Sequence, residues 1–240
     1  MLLEQLQVEA KNAVKHFWHM RTLQAQRQGG GTRTDKGARA AVTGGAQMDG
    51  FIDLFAGLIE RAGVPSQAIF RKKAVELPGF FRPTKEWDLL VVWNGQLLVA
   101  LEAKSQVGPS FGNNFNNRTE EALGSALDLW TAFREGAFNK SIRPWLGYLM
   151  LLEDCRESQT SVKVVEPHFR VFKEFRDASY RKRYELFCRK LVREGHYSAA
   201  CFLTSEATGG LQRNYLEPAT DLSLSALVTP LRAYVQAHAG

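Results

Sequence analysis

The sequence predicts an α/β fold: a mixed central β-sheet flanked by helices. Three observations carry that expectation. First, Asp88 opens the apolar run Leu89-Leu90-Val91-Val92-Trp93, Asn94-Gly95 follows, and the return run Gln96-Leu97-Leu98-Val99-Ala100-Leu101 ends in Glu102-Ala103-Lys104. Asn-Gly between two such runs is the strongest short-range hairpin signal. Second, downstream of this hairpin the chain alternates helix, strand, helix, strand, helix. Third, apolar residues make up 45% of the 240 residues, enough for a real core. No apolar stretch approaches the length of a membrane span.

Each element has its own justification. Leu6, Ala10, Ala13, Phe17 and Met20 recur at helical spacing and predict a helix over about 2–27. A Gly-rich basic stretch, Gly29 to Gly37 and on through Gly45, breaks it. This stretch reads as a loop that contacts nucleic acid or as an ordinary flexible loop. It lacks the Gly-Lys-Ser/Thr ending of a nucleotide-binding P-loop. Met48, Ile52, Phe55, Leu58 and Ile59 predict a second helix, ended by Gly63 and Pro65. A short strand over 68–75 precedes the hairpin. The segment 107–118, dense in Asn, reads as a loop. A helix then starts near Thr119, with Thr119-Glu120-Glu121 as cap and acidic first turn and Leu123, Leu127, Trp130 and Phe133 as its buried stripe. Strands are expected over 145–152 and 197–203, a basic polar helix over 169–194, and a last helix over 222–238 that Pro230 kinks or divides. The length suits one domain over 1–240, with an N-terminal helical and Gly-rich segment (1–66) and a core (67–240).

Bulk properties narrow the function. The net charge of +6 fits a polyanionic partner. Arg33, Lys36 and Arg39 cluster with Arg21 and Arg27. A second basic region runs through 170–193. Cys155, Cys188 and Cys201 have no metal-type spacing, and an odd number excludes a complete disulfide framework. Three reduced thiols in a cytoplasmic protein are the expectation, and the N-terminus lacks the apolar centre of a secretory signal.

The hairpin carries the chemistry. It brings the start of its first strand beside the end of its second, so Asp88 and Glu102 are expected to be neighbours. Glu102 and Lys104, two apart, point to one face. Two carboxylates and a lysine in one patch suit an oxygen-loving divalent metal such as magnesium, with the backbone carbonyl of Ala103 as a further oxygen. Lys104 would orient or deprotonate an attacking water and neutralise developing charge. A metal beside it would lower its pKa. The ordinary alternative is a solvated sheet edge. Against it, the charged residues interrupt runs apolar on both faces, where unpaired carboxylates would be costly.

These residues resemble a known family. Pro83-Thr84-Lys85-Glu86-Trp87-Asp88, followed by Glu102-Ala103-Lys104, resembles the catalytic motif of the PD-(D/E)xK nuclease superfamily, although Trp87 stands where that motif has proline. Val42 to Phe51, Lys85 to Val91 and Gly112 to Ala122 are similar to the XhoI family of type II restriction endonucleases. The resemblance implies a restriction-endonuclease-like core, bacterial and cytoplasmic. It implies cleavage of double-stranded DNA at the palindrome CTCGAG, leaving 5′ overhangs, with one or two Mg2+ per active site. A homodimer and a companion methyltransferase come with it. Asp88, Glu102 and Lys104 take the catalytic positions. For DNA contacts, Asn113, Asn114, Asn116, Asn117 and Arg118 rank first and Arg33, Lys36 and Arg39 next. Glu60 (with Asp53 as its competitor), Glu86 and Gln106 are candidates for support around the metal. Two alternatives stay open at this point: a structure-specific or repair nuclease of the superfamily, and a non-catalytic DNA-binding protein.

Overall fold

The computed structural model describes residues 3–29 and 46–238. The Gly-rich stretch, with Arg33, Lys36 and Arg39, lies outside the described residues. Among the described residues, the main sheet has five strands in the order β1 (Ile69–Phe70), β4 (Leu89–Trp93), β5 (Gln96–Gln106), β6 (Trp145–Glu153) and β7 (Ala199–Ser205). β1–β4 and β4–β5 are antiparallel, and β5–β6 and β6–β7 are parallel, so the sheet is mixed as predicted. A separate ribbon pairs β2 (Glu76–Pro78) with β3 (Thr84–Glu86).

β7 is buried along its whole length and β6 up to Glu153, because helices cover both faces. One face packs against α1 (Leu3–Gly29), α2 (Asp49–Arg61) and α7 (Leu224–His238) through Leu89, Val91, Val99, Leu101 and Ala103. The other packs against α3 (Phe111–Arg134) and α5 (Tyr180–Arg193) through Leu90, Ala100, Tyr148 and Met150. Short helices α4 (Arg156–Gln159) and α6 (Ala207–Leu211) complete the fold. No helix among the described residues is long and apolar enough to cross a membrane.

The hairpin is built as the sequence predicts. Asn94 and Gly95 both have positive φ, 51° and 73°, the pattern of a type I′ turn whose twist matches the strands. The predicted α1 stripe of Leu6, Ala10, Ala13 and Phe17 is buried.

Several elements depart from expectation. The Asn-rich segment is not a loop: α3 starts at Phe111 and takes in every Asn from 113 to 117. Asn costs a helix only a few tenths of a kcal/mol per residue. Here Phe111 and Phe115 pack on Tyr180, Tyr184 and Phe187, with ring centroids 5.0–6.4 Å apart. Thr119 is therefore mid-helix, its hydroxyl donating to the Phe115 carbonyl at 2.9 Å. The buried stripe of α3 is Ala122, Ala126, Leu129 and Trp130; Leu123 and Leu127 are 38% and 51% exposed. Small side chains let the helix approach the sheet.

The basic helix starts at Tyr180 rather than 169, because the Ser179 hydroxyl accepts the Lys182 N–H and caps it there. β7 begins at Ala199, leaving Tyr197 in the preceding turn. The strand over 68–75 shrinks to Ile69–Phe70, since Lys72 and Ala74 adopt positive φ. α7 is not divided: it runs through Pro230, with Leu224, Leu227, Val228, Leu231 and Val235 buried on both sides of it.

Candidate active site

The hairpin register places the acids. Leu89 pairs with Leu101, and the Asp88 N–H donates to the Leu101 carbonyl at 3.2 Å, so Asp88 stands opposite Glu102. β4 begins at Leu89 while β5 continues to Gln106, so among the described residues that edge of β5 has no strand partner beyond Leu101. Asp88 fills the gap. Its Oδ2 accepts the Ala103 N–H at 2.8 Å. N–H and C=O of a strand residue project to the same edge, so the Ala103 carbonyl also faces the Asp88 side.

Alternation then sends Glu102, Lys104 and Gln106 to the α3/α5 face. Glu102 is 1% exposed, yet both its oxygens have partners. Oε1 meets Lys104 Nζ at 3.0 Å and Lys85 Nζ at 3.1 Å. Oε2 lies 3.0 Å from the Tyr197 hydroxyl, which also sits 3.1 Å from the Ala122 carbonyl and shares one proton between them. Lys85 arrives from β3 and stands 4.1 Å above the Trp87 ring.

The electrostatics separate the two acids. Burial alone would raise the Glu102 pKa, but the Lys104 and Lys85 ammoniums outweigh it and hold the carboxyl low. Burial raises Asp88, and Lys104 and the Ala103 N–H only partly offset this. Burial works to lower Lys104, but Glu102 and Asp88 outweigh it and its pKa is raised. The lowered Lys104 pKa expected from the sequence presupposes a cation beside it; with two carboxylates as neighbours the direction reverses. Burial lowers Lys85, despite Glu102.

The donor set suits a hard cation. Asp88, Glu102 and the Ala103 carbonyl offer only oxygens, and magnesium takes one or two carboxylates and completes its shell with water and substrate phosphate. Among the described residues, no group of three or more His, Cys, Asp or Glu stands in metal-binding geometry.

The remaining candidates divide. Gln106 is buried on the face of Glu102, its Oε1 accepting the Tyr184 hydroxyl proton. Glu86 is not on that face: it is exposed in the β2–β3 ribbon opposite Glu76, because the chain bends between Glu86 and Leu89. Glu60 is exposed on α2, which packs on the opposite face of the sheet. Asp53, also on α2, pairs with Arg71. Asn113, Asn116 and Asn117 are exposed on the first turns of α3, and Asn114 and Arg118 are half-buried there. Arg118 pairs with Glu121 and is close enough for its charge to act on Lys104. Sequence reasoning missed Lys85 and Tyr197. Strand alternation would put Lys85 on the face away from Asp88, and nothing local links Tyr197 to Glu102.

The model of the restriction endonuclease XhoI family matches residues 25–217. The chain belongs to the XhoI family of restriction endonucleases. Three relatives agree. The type II restriction enzyme BstVI of Geobacillus stearothermophilus is 55% identical over 210 residues, 85% of this chain and 94% of its own. The type II restriction enzyme XhoI of Xanthomonas vasicola is 45% identical over 188 residues, covering 78% and 75%. The type II restriction enzyme AbrI of Azospirillum brasilense is 51% identical over 163 residues, covering 68% and 73%. No solved structure matches the chain. This XhoI-family chain is thus a DNA-cleaving enzyme, of a class that generally needs a divalent metal. The family match spans Lys85, Asp88, Glu102, Lys104 and Tyr197. It leaves out most of α1 and all of α7, which cover the far face of the sheet.

Proposed function

We propose that this chain is a magnesium-dependent type II endonuclease that cuts double-stranded DNA at CTCGAG and leaves 5′ overhangs. The observation that carries the chemistry is the pairing of Asp88 with the Glu102–Ala103–Lys104 segment across the end of the hairpin. The target rests on membership of the family and on the XhoI relative's name.

Asp88, Glu102 and the Ala103 carbonyl would hold one or two Mg2+. When bound, the metal supplies Lewis acidity for the scissile phosphate and lowers the pKa of water. The chain's own residues prepare the site. The Ala103 N–H fixes Asp88, and Tyr197 and Lys104 orient the Glu102 carboxylate. Lys104, kept as an ammonium by the two acids, orients the attacking water and offsets negative charge growing on the phosphate. No Ser or Cys nucleophile is needed.

For recognition, the exposed Asn113, Asn116 and Asn117, with Asn114 and Arg118, project from the start of α3. Asn reads adenine and Arg reads guanine in the major groove. Arg33, Lys36 and Arg39 serve as phosphate contacts. A palindrome with one scissile bond per strand calls for a homodimer. A companion methyltransferase would modify the same sequence in the host without binding this protein.

The test is digestion of a long DNA of known sequence, with and without Mg2+, followed by sequencing of the ends. Fragments that form only with Mg2+ and all end at CTCGAG are expected. Uniform ends at another sequence would discard the target and keep the enzyme class.

A further inference from the structure

Glu102 presents a conflict that the geometry resolves. As a metal ligand it must turn an oxygen toward the cation, but Oε1 already holds two ammoniums and Oε2 the Tyr197 hydroxyl. These donors take three of the roughly four lone-pair sites of the carboxylate, so a cation entering beside Asp88 competes with them for Glu102 and is repelled by the two ammoniums. Tyr197 is fully packed and also reaches the Ala122 carbonyl. Lys104 is fixed two residues along the same central strand. Lys85 differs from both. It comes from the β2–β3 ribbon, which among the described residues pairs with no strand of the main sheet. Its ammonium already has alternative partners outside the carboxylate, the Glu86 carbonyl at 2.9 Å and the face of Trp87. Its stem is flexible, and its side chain is only 12% exposed, so the ammonium is held against Glu102 rather than drifting in water.

We infer that Lys85 is the resident counter-ion of Glu102, which a divalent cation displaces on loading. This rests on the assignment of Asp88 and Glu102 as metal ligands. The formal charges of Asp88, Glu102, Lys85 and Lys104 sum to zero, and nearby Arg118 is paired with Glu121. Lys85 thus completes a neutral, closed arrangement that competes with the cation for one oxygen. The ribbon that carries it becomes part of the loading machinery.

The test is calorimetric titration of the full-length protein with Ca2+, a hard cation that uses oxygen donors and needs no turnover to be detected. Lys85→Met keeps the apolar stem over Trp87 and removes the charge. It should bind Ca2+ about tenfold more tightly than wild type or better. Lys85→Arg, which keeps the charge, should bind no more tightly than wild type. Glu102→Gln should lose the binding. Equal or weaker affinity in Lys85→Met, with binding still lost in Glu102→Gln, would overturn the role of Lys85 and spare the metal assignment. Unchanged Ca2+ binding in Glu102→Gln, or no binding by any of the proteins, would overturn both.

Discussion

Glu102 is held by three side chains from three parts of the sequence, Lys85, Lys104 and Tyr197, and these neighbours decide what each substitution does. Glu102→Gln keeps the shape but removes the charge that holds Lys104 and Lys85. Cleavage should fall by about a hundredfold or more. DNA binding should change only severalfold, because phosphate contacts elsewhere dominate affinity. Rate and filter-binding assays on the same preparation separate the two; near wild-type cleavage would remove Glu102 from the site. Tyr197→Phe asks a different question. It deletes one hydroxyl shared by Glu102 and the Ala122 carbonyl. The expected cost is about 1 kcal/mol in urea unfolding. Activity should fall less than in Glu102→Gln, since Lys104 still orients the carboxylate. An unchanged unfolding midpoint would mean the hydroxyl contributes nothing. The proximity of Asp88, Glu102 and Lys104 was legible in the sequence because a hairpin turns sequence spacing into spatial proximity. Tyr197 was not, since only the β5–β6–β7 crossovers bring it 95 positions back to Glu102.

The β2–β3 ribbon is the element the sequence hid. Its strands have three residues each and contain Pro78, and the loop between them holds Gly79 and Pro83, so neither strand has a readable period. What shapes it is a distant acid. Asp128 of α3 accepts the N–H groups of Phe80 (2.6 Å) and Phe81 (2.9 Å) and meets Arg82 Nε at 2.7 Å. Gly79 is required there. An added Cβ would strike the Asp128 carboxylate and come within 2.7 Å of the Arg82 carbonyl. Losing this anchor in Asp128→Ala should cost about 2 kcal/mol. Burial pushes the Asp128 pKa up, but the Phe81 N–H, Arg82 and the Phe80 N–H outweigh it, leaving the pKa below the ordinary Asp value. A depressed folded-state pKa stabilises the fold above the unfolded value of about 3.9, and that contribution is lost as pH falls through the folded value. Wild type should therefore lose more stability than Asp128→Asn between pH 5 and pH 3 (about this window). Parallel loss in both, read from urea midpoints, would show that Asp128 is not the titrating anchor. The same helix shows how tertiary packing overrides local sequence at the start of α3. Its Asn residues argue locally for a turn, but Phe111 and Phe115 find an aromatic surface on α5 that no local pattern reveals.

At the scale of the whole molecule, the class and layering of the fold were legible because buried parallel strands and amphipathic helices carry their periods openly. Assembly is not written that way. One chain carries one Asp88–Glu102–Lys104 set, whereas a palindromic target has one scissile phosphate on each strand, related by a twofold axis. Two chains sharing that axis would cut both strands in one encounter. Sedimentation equilibrium should then give twice the chain mass of 27.0 kDa. A functional version of the test mixes wild type with excess Glu102→Gln and digests a supercoiled plasmid bearing one site. Subunit exchange makes heterodimers with one working and one dead centre, which cut a single strand, so nicked circles should accumulate as the inert chain is added. A monomeric enzyme visiting the strands in turn would give a different result. The inert chain would compete for the site and slow the reaction, but the ratio of nicked to linear product would stay that of wild type alone.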